Sequence, residues 1–436
     1  MRDFATSDSH EVQAQLNRLA ALALPQGRLG LETIRELLTR IGNPHRHLPP
    51  VFHVAGTNGK GSTCAYLRAM LEAQGLTVHS ATKPHLVRYN ERIRIAGKLV
   101  SDAELASLLR DVLDAGEDLA PSFFEVTTAA TFLAFHRHPA DACVIEVGLG
   151  GRFDATNVLD DQAACGIATL GIDHEAFLLA PEDGAPADPM RRIAFEKAGI
   201  ARDGVPLVTQ AYAPEVSDEI ALRAGLAGAR LFMRDAHWRA RTGEETIHYR
   251  DAAGDLFLPL PALPGAHQAD NVALAVAMLR HQDKVPVSED AMADGIRSAR
   301  WPARLQLLGP GPITALVPGR KVWLDGGHNV DAGLAIARHF SGAEPFHLVI
   351  GMLANKDAGA IVAPLRDHLA SISVVPAPGH DAHPPEHFAA HTSLPIRSFA
   401  TVAQALESLP GPGDVLIAGS LYLAGEVLRR NEEVPD

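Results

Sequence analysis

From Val51 to Gln210, short apolar runs alternate with longer segments of helical periodicity. The runs Val51–Ala55, Thr77–Thr82, Ala142–Gly148, Ala164–Leu170 and Pro206–Gln210 predict strands. Between them, Ser62–Gln74, Asp102–Ala115, Val126–His136 and Met190–Gly199 predict helices. Apolar strands joined by helices make a mostly parallel sheet with both faces covered. The pattern changes over Ala229–Leu260. There Leu231–Met233, Trp238–Ala240, Thr246–Arg250 and Leu256–Leu260 predict short antiparallel strands, with a turn at Ala253–Gly254. A helix over Gln268–Arg280 follows Pro264–Gly265.

Gly309-Pro310-Gly311-Pro312 interrupts any regular element and marks a boundary. Beyond it Val322–Gly326, Phe346–Gly351, Ile372–Val375, Ile396–Phe399 and Asp414–Gly419 alternate with helices once more. The expected organisation is therefore a larger α/β domain over 1–308 with a small antiparallel subregion, then a smaller Rossmann-like α/β domain over 309–436. No internal repeat is visible, and Ala180–Pro189 and Pro376–Pro385 are the most loop-like stretches.

Composition narrows the possible partners. A chain of 436 residues is long for one core, and 47% hydrophobic with 21% charged residues is ordinary for a globular protein. A net charge of −13 argues against nucleic acid or an anionic membrane as partner, so an anionic substrate needs a local basic site. The three cysteines, Cys64, Cys143 and Cys165, lie in apolar segments without a Cys-x-x-Cys pair. They read as reduced core residues. Met1-Arg2-Asp3-Phe4 leads into a polar helix, and no apolar run has membrane-spanning length. A cytoplasmic protein, acting as a monomer, is expected.

The candidate chemistry begins at Val51-Phe52-His53-Val54-Ala55-Gly56-Thr57-Asn58-Gly59-Lys60-Gly61-Ser62-Thr63. A strand, a glycine loop with one lysine and a helix start are the parts of a P-loop-type phosphate site. Glycines let backbone N–H groups face phosphate oxygens, and the helix start adds unpaired N–H groups and a positive dipole end. The loop departs from a Walker A: Val54 stands where a glycine is usual, and Gly61 follows the lysine where a metal-binding hydroxyl is usual. A plain glycine turn is the alternative. Glu146-Val147-Gly148-Leu149-Gly150-Gly151-Arg152-Phe153-Asp154-Ala155-Thr156-Asn157 puts a carboxylate at the carboxyl end of a strand, where open α/β sheets bind ligands.

Further segments follow in order: Gly171-Ile172-Asp173-His174, Glu196-Lys197-Ala198-Gly199-Ile200, Gly265-Ala266-His267-Gln268-Ala269-Asp270-Asn271, Trp301-Pro302-Ala303-Arg304-Leu305, Asp325-Gly326-Gly327-His328-Asn329 and Gly419-Ser420-Leu421-Tyr422. With Gly56–Thr63, this succession resembles the folylpolyglutamate synthase and dihydrofolate synthase family, within the Mur-ligase-like enzymes. The resemblance covers about Leu29 to Leu428. It implies that ATP phosphorylates a carboxylate and that the amine of L-glutamate displaces phosphate, the enzyme clamping phosphates and positioning substrates.

Residue by residue, the resemblance implies that Gly56, Thr57, Asn58, Gly59, Lys60, Gly61 and Ser62 wrap the triphosphate, with Lys60 on the outer phosphates. It makes Glu146 a Mg²⁺ ligand and His174 a ligand of a second Mg²⁺. Lys197 matches a lysine carried as a carbamate, which needs a neutral amine. Lys60, Lys197, His174 and Glu146 are thus the expected catalytic set. Asn271, Arg304, Asp325 and His328 are the expected nucleotide contacts, with Arg304 suited to phosphate. Taken singly, His174 reads as structural, Lys197 as an exposed helix lysine and Asp325 as a helix cap. Arg28 and Gly30 of Gly27-Arg28-Leu29-Gly30, and Phe123, Phe124 and Glu125 of Ser122-Phe123-Phe124-Glu125, match segments near a dihydropteroate site. One phenylalanine could stack on a flat ring while the other is core, and Glu125 could accept pterin N–H groups.

Thr82-Lys83-Pro84-His85-Leu86-Val87-Arg88-Tyr89-Asn90-Glu91-Arg92 is a further match, with Lys83 and His85 as expected substrate contacts, and it departs in one place. Relatives usually have serine before Pro-His, where the hydroxyl helps hold the first Mg²⁺. An ammonium cannot ligate Mg²⁺ and repels it. Three outcomes stand open: Lys83 turns away and water fills the position, it supplies part of the metal's charge, or catalysis is impaired. The other motifs are intact, which favours the first two. Gly327 and Ala303 are minor departures. His380, His383, His387 and His391 fit no standard zinc spacing and read as a polar loop. The expected function is a ligase bound to ATP between its domains, adding L-glutamate to dihydropteroate and to reduced folates. A folate-only synthase and a catalytically altered nucleotide-binding relative are the alternatives.

Overall fold

The computed structural model describes residues 6–22 and 30–436, so Arg28 lies outside the described residues. The chain divides into two compact units: Met1–Pro84, Arg88–Ala262 and Ala269–Ala299 form one, and His85–Val87, Leu263–Gln268 and Arg300–Asp436 the other. The longest segment of the second unit starts at Arg300 and includes Gly309–Pro312.

The first unit is built on β1 (Val51–Ala55), β2 (Val78–Ala81), β3 (Ile93–Ile95), β4 (Lys98–Leu99), β5 (Ala142–Glu146), β6 (Ala164–Ile167), β7 (Pro206–Thr209) and β8 (Arg230–Met233). Among the described residues these form one sheet in the order β4-β3-β2-β5-β1-β6-β7-β8. The six strands from β2 to β8 in that order are parallel, with β3 and β4 antiparallel at one edge. β1, β2, β5, β6 and β7 are buried along their whole length, which is why they read as continuous apolar runs. One strand corrects the sequence reading. Leu231–Met233 lies in β8, paired parallel to β7, because the helix Pro214–Ala227 carries the chain back across the sheet.

The remaining strands of that region do form an antiparallel sheet: β9 (Arg239–Thr242), β10 (Thr246–Asp251) and β11 (Gly254–Pro259). Ile247, Tyr249, Leu256 and Leu258 are buried, giving the period-2 pattern of a sheet with one covered face.

The second unit carries β12 (Gln306–Leu307), β13 (Val322–Leu324), β14 (Phe346–Ile350), β15 (Leu369–Val374), β16 (Ile396–Ser398) and β17 (Val415–Ala418). Their order is β12-β13-β17-β14-β15-β16, parallel except for β12. Val87 packs in this unit's core, and its carbonyl accepts from Arg429 Nη2 at 3.0 Å. Helix starts are fixed by side-chain caps at Ser101, Ser122, Asp188, Ser288, Asn329 and Ser420, each accepting from an N–H three residues on.

Candidate active site

In the first unit the carboxyl ends of β1, β5 and β6 lie side by side at the middle of the sheet, the position where parallel sheets hold ligands. β1 ends at Ala55, and the helix Lys60–Ala73 starts after a loop of four residues, Gly56 to Gly59. Gly59 has φ 83°, and the carboxamide oxygen of Asn271 fills the space a Cβ would need. Glycine is therefore required there twice over. Thr57 and Asn58 donate their N–H groups to Thr169 O at 2.8 and 3.2 Å. Thr57 Oγ1 also donates to Gly171 O at 2.8 Å, so the loop is tied to the segment after β6. The first N–H groups of the helix have no intrahelical acceptor.

Lys60 Nζ folds back onto the loop, donating to Gly56 O at 3.0 Å and Thr57 O at 3.2 Å. Lys197 reaches the same carbonyl: its Nζ donates to Gly56 O at 2.9 Å. Lys197 is 4% exposed, not the surface helix lysine that its sequence position alone allowed. Burial, reinforced by the Lys60 ammonium, pushes its pKa down to about 7. The end of the helix Pro189–Ala198 that presents it is fixed by a charged network. Arg152 pairs with Glu182 at 2.5 Å and Glu196 at 2.8 Å, and Arg192 pairs with the same two carboxylates.

Glu146, at the end of β5, is 4% exposed and accepts from the Lys83 N–H at 2.9 Å. The Lys83 ammonium sits 4.1 Å from the centre of the Phe124 ring. Burial pushes its pKa down to about 8 against the pull of Asp154 and Glu146. Phe124 packs over Gly148, where any Cβ would collide with the ring. Phe123 meets Phe124 edge-on at 6.2 Å, and both pack against the core. Glu125 serves the helix start: its Oε2 accepts the Ser122 N–H and Oγ–H, each at 2.8 Å. Gly30 is half-buried before the helix Glu32–Arg40.

His174 has a left-handed backbone (φ 54°) and a half-exposed ring, its Nε2 3.9 Å from Asp173 Oδ2. Among the described residues no cluster of three His, Cys, Asp or Glu could hold a metal ion unaided.

The second unit holds the other expected contacts. Asp325 is 6% exposed and accepts from Leu305 N at 2.8 Å and Gly327 N at 2.6 Å. It does not cap the following helix; Asn329 does. Arg304 Nη1 donates to Ala303 O at 2.8 Å, and His328 Nδ1 lies 3.1 Å from Gly326 O. His85 also belongs to this unit. In the histidine-rich segment His383 Nε2 lies 2.6 Å from Lys356 O and its Nδ1 2.9 Å from His387 Nδ1.

Two features had no sequence signal. Asp154 organises the loop after β5 by accepting Gly148 N, Leu149 N and Thr156 N, and Thr156 Oγ1 links it to the buried His53. A cleft of about 630 Å³ lies between Thr169, Gln210, Tyr212, Arg234 and Asp270, with Arg234 paired to Asp270 at 2.6 Å. Its residues are scattered along the chain, so no motif unites them.

A phosphate-type loop, two lysines on its first carbonyl and a carboxylate on the neighbouring strand define a nucleotide-using α/β enzyme. No family model matches the chain. It is 33% identical to the dihydrofolate synthase/folylpolyglutamate synthase of Escherichia coli over 409 residues, 92% of this chain and 90% of that protein. It is also 33% identical to a probable bifunctional folylpolyglutamate synthase/dihydropteroate synthase of Halobacterium salinarum, of which it spans about half the length (49%). Escherichia coli FolC in complex with DHPP and ADP superposes with a TM-score of 0.84 at 32% identity, covering 96% of this chain and 97% of that one. A Yersinia pestis folylpolyglutamate synthase/dihydrofolate synthase complexed with AMPPNP and Mn ion gives 0.82 at 30% identity, with 96% and 97% covered. The chain belongs to the dihydrofolate synthase/folylpolyglutamate synthase family. It is an ATP-dependent ligase. No helix among the described residues is long and apolar enough to cross a membrane.

Proposed function

We propose that this protein adds L-glutamate to dihydropteroate, forming dihydrofolate, and to reduced folates, extending their glutamate tail. ATP phosphorylates the acceptor carboxylate, and the glutamate amine attacks the acyl phosphate and releases phosphate. A free carboxylate is a poor electrophile, so the work falls to groups that clamp phosphate and hold both substrates in line. The observation that carries the reading is the meeting of Lys60 and Lys197 at Gly56 O, which puts two lysine side chains at the loop of an acidic protein, one to meet phosphate and one, buried, to be carried as a carbamate.

For Mg²⁺ the donor sets differ. On the family resemblance, His174 and a carbamate on the buried Lys197 amine would hold one ion. Mg²⁺ bound there would neutralise charge on the phosphates. Glu146 offers a hard oxygen ligand, but one of its oxygens accepts the Lys83 N–H and residue 83 brings an ammonium where a hydroxyl would be needed, so the set does not fit a second ion. Asn271 lies at the loop and suits nucleotide binding, and a flat acceptor ring is assigned to Phe123 or Phe124 on the family resemblance. Arg304, Asp325 and His328 are assigned to the nucleotide on the family resemblance. The three cysteines are buried free thiols, which suits a reducing, cytoplasmic setting. A folate-only synthase is kept as the second reading by Glu125, whose carboxylate is engaged with Ser122.

The test is phosphate release from ATP with L-glutamate, comparing dihydropteroate, tetrahydrofolate and no acceptor. Turnover with both acceptors is expected. Turnover with tetrahydrofolate alone leaves the second reading, and no acceptor-dependent turnover sinks both.

A further inference from the structure

The residues around Glu146 disagree with the divalent ion that the family resemblance implies there. The Lys83 N–H donates to Glu146 Oε2 at 2.9 Å, which pins residue 83 against the carboxylate. The Lys83 Nζ is shut off from solvent and has no hydrogen-bond acceptor among the described residues. It lies 4.1 Å from the centre of the Phe124 ring, and that ring is seated on Gly148. Asp154, a neighbouring carboxylate, is already engaged: Oδ2 takes Gly148 N and Leu149 N, and Oδ1 takes Thr156 N and Oγ1. A buried ammonium carries three N–H donors and has no lone pair for a metal. A ring face answers its charge and leaves its hydrogen bonds unmade. The charge of Lys83, felt by Glu146 although no ion pair joins the two, also opposes a second cation brought to that carboxylate.

We propose that the Lys83 ammonium is a built-in cation that replaces one divalent ion at Glu146 and donates its unused N–H groups to a phosphate oxygen of bound ATP. The site then works with one divalent ion per chain. This rests on the ligase reading above. It makes Lys83 a substrate-binding residue and removes the open choice between a lysine turned away and a lysine that carries charge.

The experiment counts Mn²⁺ bound per chain by electron paramagnetic resonance, with a saturating non-hydrolysable ATP analogue, on the full-length protein. Native protein is expected to bind one ion. Lys83→Ser, which supplies an oxygen and removes the charge, is expected to bind two. Lys83→Met keeps the apolar stem over Phe124, guards against a Ser variant that fails to fold, and is also expected to gain an ion. Any native count other than one overturns the inference, as do variants that bind the analogue with the native count. Native protein that binds no analogue overturns the ligase reading and takes this inference with it.

Discussion

Lys60 and Lys197, 137 positions apart in sequence, donate to one acceptor: their Nζ atoms lie 3.0 and 2.9 Å from Gly56 O. One carbonyl shared by two lysine side chains ties the loop to the end of the helix Pro189–Ala198. Lys197→Met removes the amine that a carbamate needs and keeps the length of the side chain. It is expected to lower kcat by about 100-fold or more, the scale of losing one electrostatic stabiliser at a reacting group. The KM for ATP should change much less, because Lys60 stays. A variant with native kcat in steady-state assays would remove Lys197 from the catalytic set.

Gly148 and Phe124 make a second such pair. Gly148→Ala places a methyl group inside the ring of Phe124, which cannot yield without leaving the core and Lys83. Overpacking of this kind costs about 1–3 kcal/mol, readable as a fall in urea midpoint. Phe124→Leu in the same chain should recover part of that loss. Strict additivity in the double-mutant cycle would show that the two residues do not press on each other.

Much of this was legible before the structure, and what was not has physical reasons. The strand–loop–helix at Val51–Ala73 is local, so hydrophobic runs and glycines announce it. The environment of Lys197 is not local. It depends on Gly56 and on the Arg152–Glu182–Arg192–Glu196 network, which only the sheet topology brings together. Leu231–Met233 shows the same limit: its residues predict a strand, but its direction is set by the helix before it. Glu125, a candidate pterin contact because carboxylates accept N–H groups, accepts the N–H of Ser122, a bond the sequence did not announce.

His53 predicts a pH dependence of stability. It is fully buried, and burial followed by the nearby charges of Arg202 and Lys83 pushes its pKa down to about 3. The Thr156 hydroxyl hydrogen goes to Asp154 Oδ1 at 2.5 Å, so His53 Nε2–H donates to Thr156 Oγ1 at 2.8 Å. A second proton would fall on Nδ1, which is buried without an acceptor among the described residues. The folded pKa lies below the unfolded value of about 6.5, so the unfolded chain takes up the proton first. This contribution is full above pH 6.5 and is lost as pH falls toward 3. Urea unfolding at pH 7.5 and pH 5 should show a larger loss for native protein than for His53→Gln. Equal losses would count against a neutral buried His53.

Asp325 separates an architectural role from a role in nucleotide binding. Its two oxygens hold Leu305 N and Gly327 N, joining the end of β13 to the segment Ala303–Leu305, where Ala303 and Leu305 have φ of 56° and 44°. Asp325→Asn replaces one acceptor oxygen with an NH₂ group, which faces a backbone N–H and leaves it unpaired. The expected cost is about 1–3 kcal/mol, measured by calorimetry or urea unfolding. The kinetic readout divides the two roles. If Asp325 only holds these loops, kcat/KM for ATP at a temperature where the variant is folded should fall by no more than a few-fold. If it also binds the nucleotide, as the family resemblance implies, the KM for ATP should rise by about tenfold, matching the loss of a hydrogen bond to a charged group. A raised KM with unchanged kcat would assign Asp325 to holding ATP, because an interaction made equally in the ground and transition states moves KM alone.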